Sequence, residues 1–482
     1  MAIASKKFRH TNMKASHFVF FLLLSLYSFA CGSNSNSKSA NIDSSLIVRN
    51  AASVDLQKGK IISNVVCQAD PSKSYALYIP EISSNKPMPV IYFFDPHGDG
   101  LLPVKKYKAL ADRFHFILAG SSNSKNGNNF DDAENIFDAM KEDVPKRIPV
   151  DAGRIYLCGF SGGAKVATFL GLHFPGIKGV IAIGAGLEDI TLAGNFKFSY
   201  TAITGNGDLN MTDLVSIDKI LEKTTTHHRI IFFDGIHEWA PESTMDIALE
   251  GLQLDAMRDN LIPKDTSFIN QFVSGMTRKI EEEANDNGWI KAQQNCKLAA
   301  ALLEEVTDQV NWFHQKENSI ENTAAFQKEE NERQILLQKE ESLKSLYQQK
   351  FMNSDENYWN KTISEVMVKA KAKTSEGQMY QRLQAYLSLA FYSISSQMIN
   401  KDQNKAADFY VSLYKLADPT NSEVWYFSAI VDARNNNAVK AKEDLEKAIA
   451  LGFNDTKRLE IQPEFSNGTV RININEIEKK MK

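Results

Sequence analysis

The sequence predicts an α/β molecule in two parts: a doubly wound, largely parallel sheet followed by an all-α C-terminal half. Three observations predict it. Short apolar runs recur between residues 90 and 233, each ended by a loop containing Gly, Asp or Asn, as in strands buried on both faces. After Pro241 these β-signals fade and apolar residues recur at helical spacing. The chain is 482 residues long, with 43% hydrophobic and 24% charged residues, an ordinary globular balance spread over more than one domain.

At the N-terminus, Lys6, Lys7, Arg9 and Lys14 precede an apolar run from Phe18 to Phe29, too short to span a bilayer. The run stops at Ala30-Cys31-Gly32-Ser33, which resembles a bacterial lipoprotein signal with Cys31 as the lipidated residue. Ser28 stands where such signals prefer leucine, and Ser28-Phe29-Ala30 also satisfies the small-x-small rule of ordinary secretory cleavage. Residues 1–30 are therefore expected to be a signal peptide, and residues 31–50, rich in Ser and Asn, a flexible tether. Export implies a compartment that permits disulfides. Beyond Cys31 only Cys67, Cys158 and Cys296 remain, which allows at most one bridge. A net charge of −4 with no basic stripe argues against nucleic acid as a partner, and no Cys/His spacing points to a zinc site.

A sheet domain is expected over residues 51–260. Val90 to Phe94 reads as a buried strand ending in Asp95-Pro96-His97-Gly98-Asp99-Gly100. Arg154 to Cys158 reads as another, followed by Gly159-Phe160-Ser161-Gly162-Gly163 and a helix from Ala164 to Phe174. Strand, G-x-S-x-G and helix in that order form a nucleophile elbow, with Ser161 on a strained turn that exposes its hydroxyl. A serine hydroxyl needs an adjacent base. Tyr200 to Thr204 and Arg229 to Phe233 read as later strands, placing Asp208 and His237 in the loops at their carboxyl ends, where open α/β sheets bind ligands. His237 would take the proton of Ser161, and Asp208 would orient the imidazole. Asp213, Glu188 and Asp189 compete for the acid role, the last two after a strand at Val180 to Ile183. His227 and His228 begin a strand and read as surface residues. The N–H of Gly162, with that of Gly98 or Asp99, would form an oxyanion hole.

From Tyr75 to Ala240 the chain resembles the α/β-hydrolase superfamily. Within it the chain is similar to the secreted esterase branch of polyhydroxybutyrate depolymerases, feruloyl esterases and bacterial peptidases. The motifs are the H-G-D-G at His97, G-F-S-G-G around Ser161, G-x-x-D ending at Asp208 and G-x-H ending at His237. The resemblance implies hydrolysis of an ester or peptide bond without a cofactor. Pro96 and Asp99 depart from that branch, so substrate class does not carry over.

Glu242 to Asn260 reads as the last helix of the sheet domain, with a boundary at Ile262-Pro263-Lys264-Asp265 and a helical domain over 261–482. Leu298, Leu302, Val306, Val310 and Phe313 fall on one helical face. Gln327 to Gln349 is densely charged and reads as a solvated helix or a short coiled-coil arm. Trp425, Ala429, Ala441, Leu445 and Ala448 are spaced like a tetratricopeptide helix pair, and Ala407, Val411, Tyr414 and Pro419 echo an earlier one, giving repeats near 385–453.

The expected function is an exported serine hydrolase, anchored by lipid to a bacterial envelope membrane, acting on a small or polymeric ester or amide through an acyl-enzyme on Ser161. The helical repeats offer a surface for a protein partner. Two alternatives stand beside this: a catalytically silent scaffold whose repeats bind a partner, and a serine peptidase.

Overall fold

The computed structural model describes residues 56–82 and 86–466. The expected signal peptide, Cys31 and the expected tether lie outside the described residues. The chain divides into one compact unit ending at Leu336 and another beginning at Leu337.

The first unit is built on an eight-stranded sheet: β1 (Ile61–Val66), β2 (Ser74–Tyr78), β3 (Met88–Phe94), β4 (Ile117–Ser121), β5 (Val150–Phe160), β6 (Ile177–Ile183), β7 (Ser199–Gly205) and β8 (His228–Phe233). Their spatial order is β1-β2-β4-β3-β5-β6-β7-β8. β1 and β2 run antiparallel, and β3 to β8 are mutually parallel. Every residue of β3, β4 and β7 is buried, as in strands covered on both faces, and β7 buries Ser199, Thr201 and Thr204 among its apolar residues.

Helices cover both faces. On one lie α3 (Phe130–Arg147), α4 (Gly162–His173) and α5 (Met211–Leu221), which bury Phe137, Ala167 and Leu214 against Tyr92, Leu157 and Tyr200. On the other lie α1 (Leu101–Lys106), α2 (Lys108–Phe114) and α6 (Glu242–Arg258), which bury Val104, Leu110 and Leu249 beside Phe93, Tyr156 and Ile181. The chain leaving β3 therefore enters one layer, and the chain leaving the adjacent β5 enters the other. That is a topological switch point, and the crevice it opens lies beyond the carboxyl ends of β3 and β5.

The unit continues past the boundary expected at 260/261. Helices α7 (Thr266–Asn285), α8 (Trp289–Leu303) and α9 (Val310–Glu321) bury Ile269, Phe272, Met276, Cys296, Leu302 and Phe313 in the same core as Tyr156 and Ile181. Their amphipathic faces have the sheet layer as partner, so the division falls at 336/337. The stripe from Leu298 to Phe313 is also not one helix. α8 stops at Leu303, Glu305 turns with φ of 61°, and α9 begins at Val310, yet all five stripe residues are buried.

On α6, Glu250 accepts a hydrogen bond from Arg113 of α2 at 3.0 Å, and Arg113 also pairs with Asp246. Burial, and then the like charge of Asp246, pushes the Glu250 carboxyl from its ordinary 4.5 up to about 7. Between those pH values the folded chain holds a proton that the unfolded chain does not. Stability is thus expected to fall as pH rises through this window. Glu250→Gln should flatten that dependence and raise Tm at pH 8 relative to the native chain, as read by thermal unfolding at pH 5 and 8. An unchanged pH profile would refute it.

The second unit is helical. The long α10 (Ala324–Lys350) begins before the division, and α11 (Glu356–Lys369), α12 (Ser375–Asn400), α13 (Asn404–Ala417), α14 (Ser422–Arg434) and α15 (Ala438–Ala450) follow, with two short helices at Thr456–Ile461 and Pro463–Ser466. Ala407, Val411 and Tyr414 of α13 stand 34 residues before Ala441, Leu445 and Ala448 of α15, and all six are buried. The preceding helices are unequal, 26 residues in α12 and 13 in α14.

α10 is mostly solvated, as its charge predicts, but Glu340 is buried. Its carboxylate accepts from Arg382 of α12 at 2.6 Å and lies 2.7 Å from Lys344. Glu340→Ala would strand the buried guanidinium and is expected to cost about 3–5 kcal/mol in urea unfolding. Glu340→Leu combined with Arg382→Met should recover most of that loss. A single variant within 1 kcal/mol of native, on the same order of scale, would show the pair to be inert.

Candidate active site

Ser161 occupies the turn between β5 and α4 with φ of 52° and ψ of −121°, a region that a residue with a Cβ rarely enters. Its N–H donates to Ile183 O at 2.8 Å, which stitches the turn to β6. The strain rests on Ser161 itself, while the flanking glycines serve close approach. A Cβ at Gly159 would lie 2.0 Å from Gly163 O, and one at Gly163 would lie 1.9 Å from Phe94 O at the end of β3.

The other two residues arrive on neighbouring strand ends. After β7, Asp208 is buried, its carboxylate accepting the N–H of Asn210 at 2.8 Å. After β8 comes His237. The two loops are tied together by Asn206 N–H to Phe233 O and Gly207 N–H to Gly235 O, at 2.9 and 2.8 Å. His237 Nδ1 lies 3.0 Å from both carboxylate oxygens of Asp208, and its Nε2 lies 2.9 Å from Ser161 Oγ. A carboxylate only accepts, so Nδ1 carries the proton. The free Nε2 of a neutral ring then accepts from the serine hydroxyl. The Phe160 ring lies against the imidazole, with centroids 4.7 Å apart.

The competing acids are elsewhere. Glu188 pairs with Lys165 at 2.8 Å. Asp189 caps a 3-10 turn, where the Thr191 N–H holds its carboxyl below the ordinary value. Asp213 is exposed in the first turn of α5. His227 is exposed as expected, but His228 is half-buried and lies 2.8 Å from Asp218.

The loop after β3 lies beside Ser161, but three of its N–H groups turn inward. Asp95, buried, accepts from His97 N–H at 2.8 Å and Asp99 N–H at 3.3 Å, and the Gly98 N–H donates to Asp95 O at 3.2 Å. The N–H groups of Gly98 and Asp99, expected to face an oxyanion, are thus engaged within their own loop. Gly162 fits the expectation better. It opens α4, where the first N–H groups have no partner within the helix.

Residues beyond those the sequence points to also shape the site. Asp95 also accepts from Trp239 Nε1 at 2.9 Å, joining the β3 loop to the His237 loop. Burial works to raise the Asp95 carboxyl, but hydrogen bonds from His97 and Trp239 outweigh it and hold the group below its ordinary value. Asp-Pro-His-Gly is an Asx-turn signature, the signal that could have found it. Gly184, with φ of +67°, closes the floor of the site. A Cβ there would lie 3.0 Å from Asp208 Oδ2 and 3.1 Å from His237 Cε1. A groove of about 610 Å³ runs beside the site, lined by Asp99, Leu101, Leu102, Lys105, Lys106, Glu238 and Trp239.

Cys67, Cys158 and Cys296 are free and buried, so none forms the single bridge the sequence allowed. Burial pushes the thiol of Cys67 up to about 11 and that of Cys296 up to about 12, and Cys158 also rises. Among the described residues no group of three or more His, Cys, Asp or Glu side chains could hold a metal ion, and no helix is long and apolar enough to cross a membrane.

No family model and no curated protein matches the chain. Solved structures that resemble it include a hyperthermophilic esterase from the archaeon Pyrobaculum calidifontis, 12% identical over 42% of this chain and 85% of that one, with a TM-score of 0.33. An S-formylglutathione hydrolase from Staphylococcus aureus is 11% identical over 41% and 98%, with a TM-score of 0.32. An acylaminoacyl peptidase from Pyrococcus horikoshii is 15% identical over 38% and 39%, with a TM-score of 0.30.

Proposed function

We propose that this chain, folded through residues 61–258 as an α/β-hydrolase, is a serine hydrolase that cleaves carboxylic esters through an acyl-enzyme on Ser161. The unbroken run from Ser161 Oγ through His237 to buried Asp208 carries the proposal. Ser161 Oγ attacks the carbonyl carbon, and its proton passes to His237 Nε2. The carbonyl π-electrons move onto oxygen, and the resulting oxyanion is held by N–H donors, Gly162 among them. As the tetrahedral adduct collapses, the C–O bond to the alcohol breaks and the leaving oxygen takes the proton from Nε2. Water then repeats the sequence with His237 as base, which releases the acid and restores Ser161.

Asp208 keeps Nδ1 protonated and stabilises the imidazolium formed in each half-reaction. Strain at Ser161 holds the hydroxyl in the attack position before substrate arrives. Ester cleavage is the lighter demand, since an alkoxide leaves more readily than an amide nitrogen. Paired ester and anilide substrates of the same acyl group would separate esterase from peptidase.

The deciding experiment is labelling with a fluorophosphonate, which phosphonylates an activated serine. The native chain should label stoichiometrically and Ser161→Ala not at all. A native chain that fails to label would refute the proposal. Export and lipidation at Cys31 belong to the proposal on sequence grounds, and Cys31→Ser should release the chain from the membrane fraction.

A further inference from the structure

We infer that the carboxamide of Asn126 is a catalytic oxyanion donor, standing in for the N–H groups of Gly98 and Asp99, which are bonded within their own loop; this rests on the serine-hydrolase reading above. The oxyanion of a tetrahedral adduct at Ser161 must lie within reach of Gly162 N–H, the donor after the nucleophile. In this fold the second donor comes from the loop after β3. Here Pro96 has no N–H, and those of His97, Gly98 and Asp99 are all bonded to Asp95. With these three engaged, the second donor that the H-G-D-G sequence leads one to expect at Gly98 or Asp99 is missing.

The segment carrying Asn126 is docked onto this loop. Asn126 N–H donates to Pro96 O at 2.8 Å, and Lys125 bridges to His97 in antiparallel fashion. The backbone of Asn126 is therefore fixed beside the loop after β3. Its side chain lies over Gly162: a Cβ built there would fall 1.9 Å from Asn126 Oδ1 and 3.6 Å from Nδ2. Only glycine at 162 leaves room for the amide. The terminal amide torsion is broad and two-fold, so the oxygen and the NH2 exchange places with little backbone cost. A developing negative charge selects the orientation with NH2 inward. Side-chain amides are competent donors of this kind, and removal of one typically costs about 100-fold to 1,000-fold in kcat.

Asn126 is exposed and its side chain makes no hydrogen bond among the described residues, so Asn126→Ala should fold as the native chain does. With p-nitrophenyl butyrate as substrate, Asn126→Ala should lower kcat about 100-fold and leave KM within about threefold. Asn126→Asp, the same shape with an acceptor in place of the donor, should fall at least as far. Phenylboronic acid, which forms a tetrahedral anionic adduct on serine, should bind Asn126→Ala more weakly by a factor comparable to the kcat loss. A structural role would not move boronate affinity and kcat together at constant KM. The inference is overturned by a kcat for Asn126→Ala within about threefold of native, or by a kcat loss with unchanged boronate affinity. Stoichiometric labelling of native Ser161 by fluorophosphonate in that same outcome leaves the hydrolase reading standing, whereas absent labelling removes both.

Discussion

Ser161→Ala is expected to lower kcat toward an activated ester by a factor of about 10⁶. The magnitude follows from the loss of the covalent route, since no other hydroxyl is described within reach of His237 Nε2. Water must then attack directly, helped only by oxyanion donors and by substrate positioning. Adding His237→Ala should cost little more, because a base without its nucleophile has no proton to take. That near-complete non-additivity is the signature of residues acting as one unit. Turnover measured for the two single variants and the double variant decides the point. A Ser161→Ala chain that keeps a tenth of native kcat, or losses that multiply, would refute the assigned roles.

Asp208→Asn should lower kcat by about 10⁴ while the fold persists. Asparagine keeps an oxygen for the Asn210 N–H, so the loop after β7 retains its internal bond. Its NH2, however, can donate to His237 Nδ1. That stabilises the tautomer with the proton on Nε2, where it opposes the serine hydroxyl instead of accepting from it. Glu188→Gln, Asp189→Asn and Asp213→Asn should stay within about threefold of native, since Glu188 pairs with Lys165, Asp189 caps its own turn, Asp213 is exposed on α5, and Asp208 faces the imidazole. Steady-state kinetics with one ester across the four variants provides the comparison. A near-normal Asp208→Asn beside a dead Glu188→Gln would move the acid to the loop after β6.

Much of the sheet was legible because its strands are short, buried on both faces and closed by turn residues. Tyr200 to Thr204 and Arg229 to Phe233 each lie within one observed strand, so Asp208 and His237 could be placed on strand ends from sequence. The end of the unit was not legible. Phe272 and Met276 show an apolar helical face, but nothing local tells whether that face meets a sheet layer or another helix. The break at Glu305 was hidden because Val306 continues the helical spacing across a turn. The oxyanion loop failed for a related reason. His97-Gly98-Asp99-Gly100 has the expected composition, while the direction of its N–H groups depends on the side chain of Asp95 two residues upstream. Asn126 lies in Lys125-Asn126-Gly127-Asn128, which reads as turn chemistry alone until the fold lays it over Gly162.

The three buried cysteines give the first unit a built-in clock. A neutral thiol inside a closed core reacts with neither oxidant nor alkylating agent, so electrophiles that seek serine meet no competing sulfur there while the fold is intact. Cys67 follows β1 at the sheet's edge, Cys158 lies inside β5, and Cys296 lies on α8 in the layer added beyond α6. Each becomes reactive only when its own layer opens. The order in which they acquire label under mild denaturant would record the sequence in which the outer helices, the edge and the centre of the sheet come apart.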